Sequence, residues 1–309
     1  PRILDNAMGS LFRRAGYETA YGGKIHLPGQ EGVRGRVEPY GFDYISPDDL
    51  EGRDALVEHC ARFLRRRHDK PFLLVASFIN PHDICYMAVN AYRTSIGQKI
   101  EGGRVQECLD KAMKRPDGVS EREFWDRHCP PLPPNHEVTE NEPEALTSLD
   151  WRPHRGLVRA NWTEKDWRMH RWAYARLTER VDAEIGRVLE ALRDTGLERA
   201  TVVVFTSDHG YHLGDHGLWQ KQSLFERSTR VPLIIAAPGA KANGQVARGV
   251  AEMVDFYPTL ADLAGFKAPD YLDGVSLRPM LDDAKDEVKT AAFSQVRRGA
   301  NLEGYAVRS

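Results

Sequence analysis

Lysine, histidine and aspartate side chains follow the ends of apolar segments at several places in this sequence. The side chains concerned are Lys24, His26, His82, Asp208, His209 and Lys221. Asp208 offers a hard oxygen and His209 a neutral nitrogen, and such a pair suits a divalent cation. Lysines attract anions as compact point charges. These residue types therefore favour a site for an anionic group beside a metal.

A site of this kind needs elements that bring distant positions together. The segments Phe72–Ile79, Thr201–Thr206 and Val231–Ala236 are almost continuously apolar, as are strands buried on both faces of a parallel sheet. We predict an α/β fold, a mostly parallel sheet with helices on both faces, in which these segments are neighbouring interior strands. Ligands of such sheets collect beyond the carboxyl ends of the strands, where we expect the charged side chains to meet.

Apolar residues that recur at intervals of three or four predict the helices. They are expected at Leu4–Ala15, Asp49–Arg67, Thr163–Thr195 and Asp255–Ala264. By contrast, residues from about 85 to 160 are polar and weakly patterned, which is typical of a functional insertion or a mobile excursion.

Several tryptophans lie in or just after this insertion. They are Trp125, Trp151, Trp162, Trp167 and Trp172. Flat aromatic rings stack well on sugar faces, so one interpretation is a wall of a carbohydrate site. The alternative is that these rings pack the insertion onto the rest of the domain.

Composition excludes several classes of protein. The 309 residues carry 43 Lys plus Arg against 45 Asp plus Glu, without the basic excess of a general nucleic-acid binder. No segment approaches the roughly 20 apolar residues of a membrane span. The cysteines, Cys60, Cys85, Cys108 and Cys129, lack CxxC spacing and predict neither a zinc module nor a disulfide scaffold. We expect thiols, with a Cys85–Cys129 disulfide as the alternative.

Several segments, taken in order along the chain, resemble signature motifs of the sulfatase family, part of the alkaline-phosphatase-like superfamily. The first, GYETAYGGKIHL, is similar to the pattern GYxTxxxGKxHL. The segments with this resemblance are residues 16–27, 203–210, 213–221, 230–234, 254–260 and 272–277. The Asp208-His209 pair and the region of Phe225 and Glu226 look most like the branch that includes iduronate sulfatase and bacterial relatives.

The resemblance implies that Asp208 and His209 bind the active-site calcium, with Mg²⁺ as the alternative metal. His209 stands where the family more often has Asn. For His212, Asp215 and His216 the family offers no contact with substrate or metal, so we expect these residues to serve loop structure.

The resemblance also implies roles for the other charged residues. Lys24 and Lys221 would neutralise the sulfate from two sides, and His26 would handle protons on the nucleophile. His82 would protonate the departing alcohol. Without the resemblance, His82 could equally cap its strand and Lys24 could be a surface lysine.

Two elements of the family pattern are missing. The family's nucleophile is a formylglycine made from Cys or Ser in C/S-x-P/A-x-R, and these 309 residues contain no such sequence. The two metal-binding aspartates of the family's first strand are absent as well. Both elements normally precede the Lys24 motif. We therefore expect both ends to be cuts within a longer protein, the formylglycine to lie upstream, and the chain alone to be inactive.

The resemblance implies a sulfatase catalytic α/β domain at residues 1–285, with the insertion at about 85–160. Residues 286–309 would begin a truncated C-terminal subdomain. The implied reaction is hydrolysis of a sulfate ester, on a small molecule or an oligosaccharide, and the aromatic residues favour a sulfated carbohydrate. A periplasmic or secreted location is implied too. Nothing in the sequence indicates an oligomeric state.

Two alternative functions stay open. One is a phosphomonoesterase or phosphodiesterase of the same superfamily, in which His212 and His216 would serve zinc. The other is a non-catalytic relative that binds sulfated glycans.

Overall fold

The computed structural model of the chain describes most of its sequence. The described parts are residues 3–27, 36–46, 53–100, 102–138, 140–143, 146, 153–298 and 302–309. Their α-helices are α1 (Met8–Arg14), α2 (Arg53–Arg65), α3 (Cys85–Ser95), α4 (Gly103–Met113), α5 (Glu121–Glu123), α6 (Pro153–Asn161), α7 (Glu164–Asp194), α8 (Glu226–Thr229), α9 (Phe256–Leu263) and α10 (Arg278–Asp282). Their strands are β1 (Glu18–Gly23), β2 (Asp43–Ser46), β3 (Phe72–Ser77), β4 (Val203–Thr206), β5 (His212–Leu213), β6 (Trp219–Gln220), β7 (Leu233–Ala236), β8 (Ala292–Arg298) and β9 (Leu302–Arg308).

A parallel three-stranded sheet forms the base of the predicted site. Its order is β2-β1-β3, and β1 pairs with β3 in unbroken register up to Gly23 and Ser77. Gly23 has φ +100°, and a Cβ there would lie 2.0 Å from the Ser77 carbonyl oxygen, so this close approach requires glycine. The two strands therefore end side by side, and the chain that follows each one leaves from the same edge. The parallel sheet with its helices confirms the predicted α/β class.

The long helix α7 matches its predicted span of Thr163–Thr195. The Thr163 N–H donates to Asp166 Oδ2 over 2.8 Å and the Asp166 N–H donates to Thr163 Oγ1 over 3.3 Å, which is a capping box. Gly196 ends the helix with φ +72°. The helix has 31 residues, so it is about 46 Å long at the standard rise.

Helix α7 contacts two separate regions along its length. Near its C-terminus, Ala191 and Leu192 pack with Phe63 and Leu64 of α2 over Ala20 of the sheet. Nearer its N-terminus, other apolar residues of α7 pack against α4 within the insertion. One rigid element therefore connects the sheet with the insertion.

The insertion is more regular than its sequence predicted. The described residues from 85 to 160 include α3, α4, α5 and α6, so this stretch is helical although its sequence is only weakly patterned, and its assignment as a functional insertion stays a prediction. Helix α4, for example, buries a narrow face that consists of Val105, Cys108, Leu109 and Ala112. The sequence is therefore polar overall even though it is helical.

The tryptophans of this region mainly pack the fold. Trp167 and Trp172 are 2% and 6% exposed, and the Trp172 ring lies edge-on to Phe124 at 5.1 Å. Trp125 lies on the surface side, with the Lys165 ammonium 5.4 Å from its ring centroid. These contacts favour the packing interpretation over a sugar-binding wall. Trp151 lies outside the described residues.

The second half of the predicted sheet differs from expectation. In the described residues β4 pairs with β7 alone, and the pair is antiparallel. Phe205 on β4 is 38% exposed and Ile234 on β7 is 59% exposed. The prediction that β3, β4 and β7 are neighbouring interior strands is therefore wrong. A continuous apolar run carries a signal for burial but none for strand direction or strand neighbours.

Smaller differences concern the first two helices. The predicted helix Leu4–Ala15 is broken at Ala7, whose backbone is extended, into a 3-10 turn and α1. Helix α2 starts at Arg53, and its predicted start at Asp49 lies outside the described residues. Strands β8 and β9 pair in antiparallel orientation, and their assignment to a further subdomain stays a prediction.

All four cysteines of the sequence are described, and each is a buried thiol. The alternative of a Cys85–Cys129 disulfide is therefore wrong. Among the described helices, none has the length and apolar character that a membrane span requires.

Residues 254–260 and 272–277, the last two motif segments, are joined through the carboxylate of Asp255. Asp255 is 0% exposed, and its carboxylate accepts hydrogen bonds from the Lys289 ammonium at 2.6 Å, the Val275 N–H at 2.9 Å and the Glu252 N–H at 2.7 Å. The two segments approach closely at Gly274, where a Cβ would lie 2.0 Å from the Val254 carbonyl oxygen, so this position requires glycine. The described contacts of these segments thus serve the fold.

We predict that Asp255→Ala lowers the free energy of unfolding by about 3–5 kcal/mol, because it leaves two backbone donors without their acceptor and the Lys289 ammonium with Glu252 as its remaining carboxylate. Urea denaturation followed by circular dichroism measures the loss. Asp270→Ala is the control, because Asp270 pairs with Lys267 on the surface and both side chains are about four-fifths exposed. Equal stabilities of the two variants would contradict the role of Asp255.

Candidate active site

The backbone of Lys24 is fixed at the carboxyl edge of the parallel sheet. Its N–H donates to the Ser77 carbonyl over 2.8 Å, and its own carbonyl accepts from the Tyr21 hydroxyl over 2.7 Å. Burial raises the pKa of Tyr21, a hydrogen bond from Ser77 lowers it, and the Asp208 carboxylate raises it again. Asp208, which follows β4, therefore lies in the same neighbourhood as the end of β1.

Asp208 and His209 present their donor atoms toward each other. The Asp208 Oδ2 and the His209 Nε2 are 3.4 Å apart. Two ligands at right angles, each about 2.4 Å from a cation, would also be about 3.4 Å apart. The His209 Nδ1 lies 2.8 Å from the Gly210 carbonyl oxygen, so it carries the proton and Nε2 keeps a lone pair for a metal. The pair therefore fits the edge of a cation site.

This pair is only part of a metal site. Within the residues that the structure describes, no cluster of three or more His, Cys, Asp or Glu could hold a metal. Calcium takes about six to eight oxygen ligands. A cation held by Asp208 and His209 would therefore need further ligands besides these two side chains.

The electrostatics of His209 show which predicted residues meet. Burial lowers the pKa of His209, and the ammonium groups of Lys221 and Lys24 lower it further. The Asp208 carboxylate and the Gly210 hydrogen bond act in the opposite direction. Lys24, Asp208, His209 and Lys221 therefore share one neighbourhood, although they are spread over almost two hundred positions of the sequence.

The backbone around Lys221 is unusual. Lys221 follows the short hairpin of β5 and β6 and is half-buried. Both of its neighbours, Gln220 and Gln222, adopt left-handed conformations with φ +71° and +73°. Such conformations are unfavourable for residues with a side chain, and they persist where the surroundings hold them, often at functional sites.

The remaining predicted site residues, His82 and His26, are placed near the same edge by the strands that precede them. His82 begins a 3-10 turn after β3, is partly buried, and its ring lies 6.3 Å from that of Tyr86. His26 is exposed, two residues beyond Lys24. Both follow strands that end at the edge described above, and their roles in proton transfer stay predictions.

The residues after His209 have structural contacts. The His212 ring is buried and its Nε2 lies 2.7 Å from the Ser223 hydroxyl oxygen. The His216 ring stacks on Phe225 at 4.3 Å, and Asp215 is 3% exposed. These contacts favour the interpretation as loop structure over zinc ligation by the two histidines.

Two tyrosines of this region were not among the residues predicted from the sequence. The Tyr21 hydroxyl donates to the Lys24 carbonyl, and Tyr211 is partly buried just after the Asp208-His209 pair. The sequence signals were that Tyr21 lies near the end of a strand and that Tyr211 follows the predicted metal pair. Tyrosine is common in protein cores, so these positions alone did not indicate a site.

Comparisons with known proteins agree with the geometry. The family model described as Sulfatase matches residues 4–266. The chain is 29% identical over 300 residues to the Delta 4,5-hexuronate-2-O-sulfatase of Bacteroides thetaiotaomicron, a match that covers 93% of this chain and 57% of that protein. It is 31% identical over 294 residues to the choline-sulfatase of Rhizobium meliloti, covering 87% and 55%.

A solved structure is also similar. The structure of a 2-O GAG sulfatase superposes with a TM-score of 0.72 and 26% sequence identity, covering 97% of this chain and 62% of that chain. The present chain thus spans somewhat more than half the length of the relatives that it matches.

We predict that Lys221→Ala raises the pKa of His209 in the metal-free protein, because it removes a positive charge that opposes protonation of the ring. An NMR titration of the histidine ring protons measures the change. Lys165→Ala is the control, since that lysine lies over Trp125 on the surface. If the pKa of His209 is the same in the wild type and in Lys221→Ala, the two side chains do not share a site.

Proposed function

This chain belongs to the sulfatase family, and on that premise we propose that the protein hydrolyses a sulfate ester of a sulfated carbohydrate. The observation that carries the proposal is the meeting of Lys24 and Lys221 at the Asp208-His209 pair. Two ammonium groups beside candidate ligands for a cation would attract a small anion that bears localised charge. The similarity to a hexuronate-2-O-sulfatase and to a 2-O GAG sulfatase supports a carbohydrate as the carrier of the sulfate.

The metal in this proposal is calcium, with Mg²⁺ as the alternative. Asp208 Oδ2 and His209 Nε2 would hold it, because they are the two donors whose separation suits a shared cation. When bound, the cation would supply positive charge to a sulfate oxygen. The proposed nucleophile is a formylglycine from outside these 309 residues, in keeping with the lack of a C/S-x-P/A-x-R sequence among them.

The lysines would act on the sulfate itself. Lys24 approaches from the edge of the parallel sheet, and Lys221 approaches from the hairpin of β5 and β6. During ester cleavage negative charge moves toward the oxygen that leaves. Positive charges that are fixed before the reaction stabilise this change without reorganisation, which is the usual source of large rate effects.

The histidines would move protons. His82 would donate a proton to the departing sugar hydroxyl, so that an alcohol rather than an alkoxide leaves. His26, exposed beyond Lys24, would accept and return protons at the nucleophile.

We predict that Lys221→Ala lowers kcat/KM of the full-length protein for 4-nitrophenyl sulfate by about 10²–10³-fold, because it removes one fixed charge from the reacting group. Its thermal midpoint should stay that of the wild type. Lys165→Ala provides the matched lysine variant on the surface. A fully active Lys221→Ala would exclude the assignment. Parallel assays with 4-nitrophenyl phosphate and choline sulfate test the phosphoesterase alternative and a small-molecule substrate.

His82→Ala should discriminate between leaving groups. The variant should lose about 10²–10⁴-fold in kcat with an unactivated sugar sulfate, whose alkoxide needs a proton. With 4-nitrophenyl sulfate the loss should be far smaller, because nitrophenolate is a stable anion. A stopped assay for released sulfate compares both substrates. Equal losses for the two would show that His82 is not the general acid.

A further inference from the structure

We propose that Tyr211 is a positioning residue that couples the turn carrying Lys221 to the turn carrying His82. The inference rests on the proposed function, since it assigns Tyr211 to the same reaction. Tyr211 lies two residues after His209, and its side chain is partly buried in the apolar cluster that contains Cys85 and Trp219. Its hydroxyl contacts both of the turns.

The first contact is with the hairpin of Lys221. A backbone hydrogen bond from Gln220 lowers the pKa of Tyr211, so the Gln220 N–H donates to the phenol oxygen. Gln220 is the residue before Lys221, and its φ of +71° is unfavourable for a residue with a side chain. The hydrogen bond therefore acts on a strained residue next to the lysine.

The second contact is with the chain that follows His82. The Tyr211 hydroxyl lies 3.7 Å from the Cys85 Sγ. Cys85 is the first residue of α3, and only the 3-10 turn His82–Ile84 precedes it. One oxygen atom thus connects the segment that would hold the sulfate with the segment that would supply the proton.

The phenol ring is itself fixed by α7. It stacks on Tyr174 with 5.3 Å between the ring centroids, and it lies 5.9 Å from the His170 ring at a tilt of 31°. His170 is fully buried, and neither of its ring nitrogens has a hydrogen-bond partner among the described residues. Burial, and to a lesser extent Arg171, lowers the pKa of His170 to about 3, so the ring packs as a neutral group.

The arrangement explains how a flexible side chain could be aimed. A lysine has four rotatable bonds, so its reach is defined only if its backbone is held. Here the backbone of Lys221 is held through Gln220 by a ring that α7 fixes from behind. The same oxygen touches the start of α3, so a shift of either turn would disturb the other.

The test compares Tyr211→Phe with Tyr174→Phe in the full-length protein. Tyr211→Phe removes only the oxygen, whereas Tyr174→Phe removes a hydroxyl from the adjacent ring of the same stack. We expect Tyr211→Phe to lower kcat for 4-nitrophenyl sulfate by about tenfold, the effect of one lost hydrogen bond, with a fall of only a few degrees in the thermal midpoint. Tyr174→Phe should stay within about twofold of the wild type. Equal effects of both variants would overturn the proposal.

A double-mutant cycle separates positioning from stability. If Tyr211 acts through Lys221, then Tyr211→Phe should cost nothing more in a Lys221→Ala background. A full further tenfold loss in that background would overturn the coupling to Lys221.

Amide hydrogen exchange provides a measurement that needs no activity. Peptides that contain Gln220–Gln222 and those that contain His82–Tyr86 should exchange faster in Tyr211→Phe and not in Tyr174→Phe. Unchanged exchange in both peptides would overturn the proposal. If the wild type hydrolyses no sulfate ester, the proposed function fails, and the exchange data alone decide whether Tyr211 couples the two turns.

Discussion

Repulsion between like charges is the constraint that the rest of this structure has to meet. The ammonium groups of Lys24 and Lys221 lie close enough to His209 to lower its pKa, so the two lysines repel each other and oppose protonation of that ring. The Asp208 carboxylate contributes the opposite charge, and backbone contacts hold the segments that carry the two lysines. Lys24 is held by the Ser77 carbonyl, and Lys221 stands between two residues in left-handed conformations. An anion would relieve the repulsion, which makes the site selective for negative charge before any specific contact forms.

Helix α7 packs against both the parallel sheet and the insertion and so connects them as one rigid element. Its C-terminal half packs on α2 and the sheet, and its N-terminal half packs on the insertion. Because each half has its own apolar cluster, a substitution in the insertion need not disturb the sheet that holds Lys24. The helix also provides the rings that lie behind Tyr211. The charged edge is thus fixed from the sheet on one side and from α7 on the other.

The sequence predicted the α/β class, the span of α7 and the meeting of Lys24, Asp208, His209 and Lys221, because strand ends and helical periodicity are local signals. The antiparallel pairing of β4 with β7 could not be predicted, since an apolar run specifies no neighbour. The sequence of the insertion appeared weakly patterned because its helices are short and because α4 buries only a narrow apolar face. The contacts of Tyr211 depend on positions 85 and 220, and no local pattern connects those positions to it.

The buried thiols have a practical consequence. Cys85, Cys108 and Cys129 each belong to a different apolar cluster of the insertion, and Cys60 is buried on α2. A thiol reacts with an alkylating reagent only after the region around it opens. The four labelling rates, resolved by mass spectrometry, would therefore report the local opening of four regions of the native protein. The order of these rates would show which region unfolds first as denaturant is added, without any engineered probe.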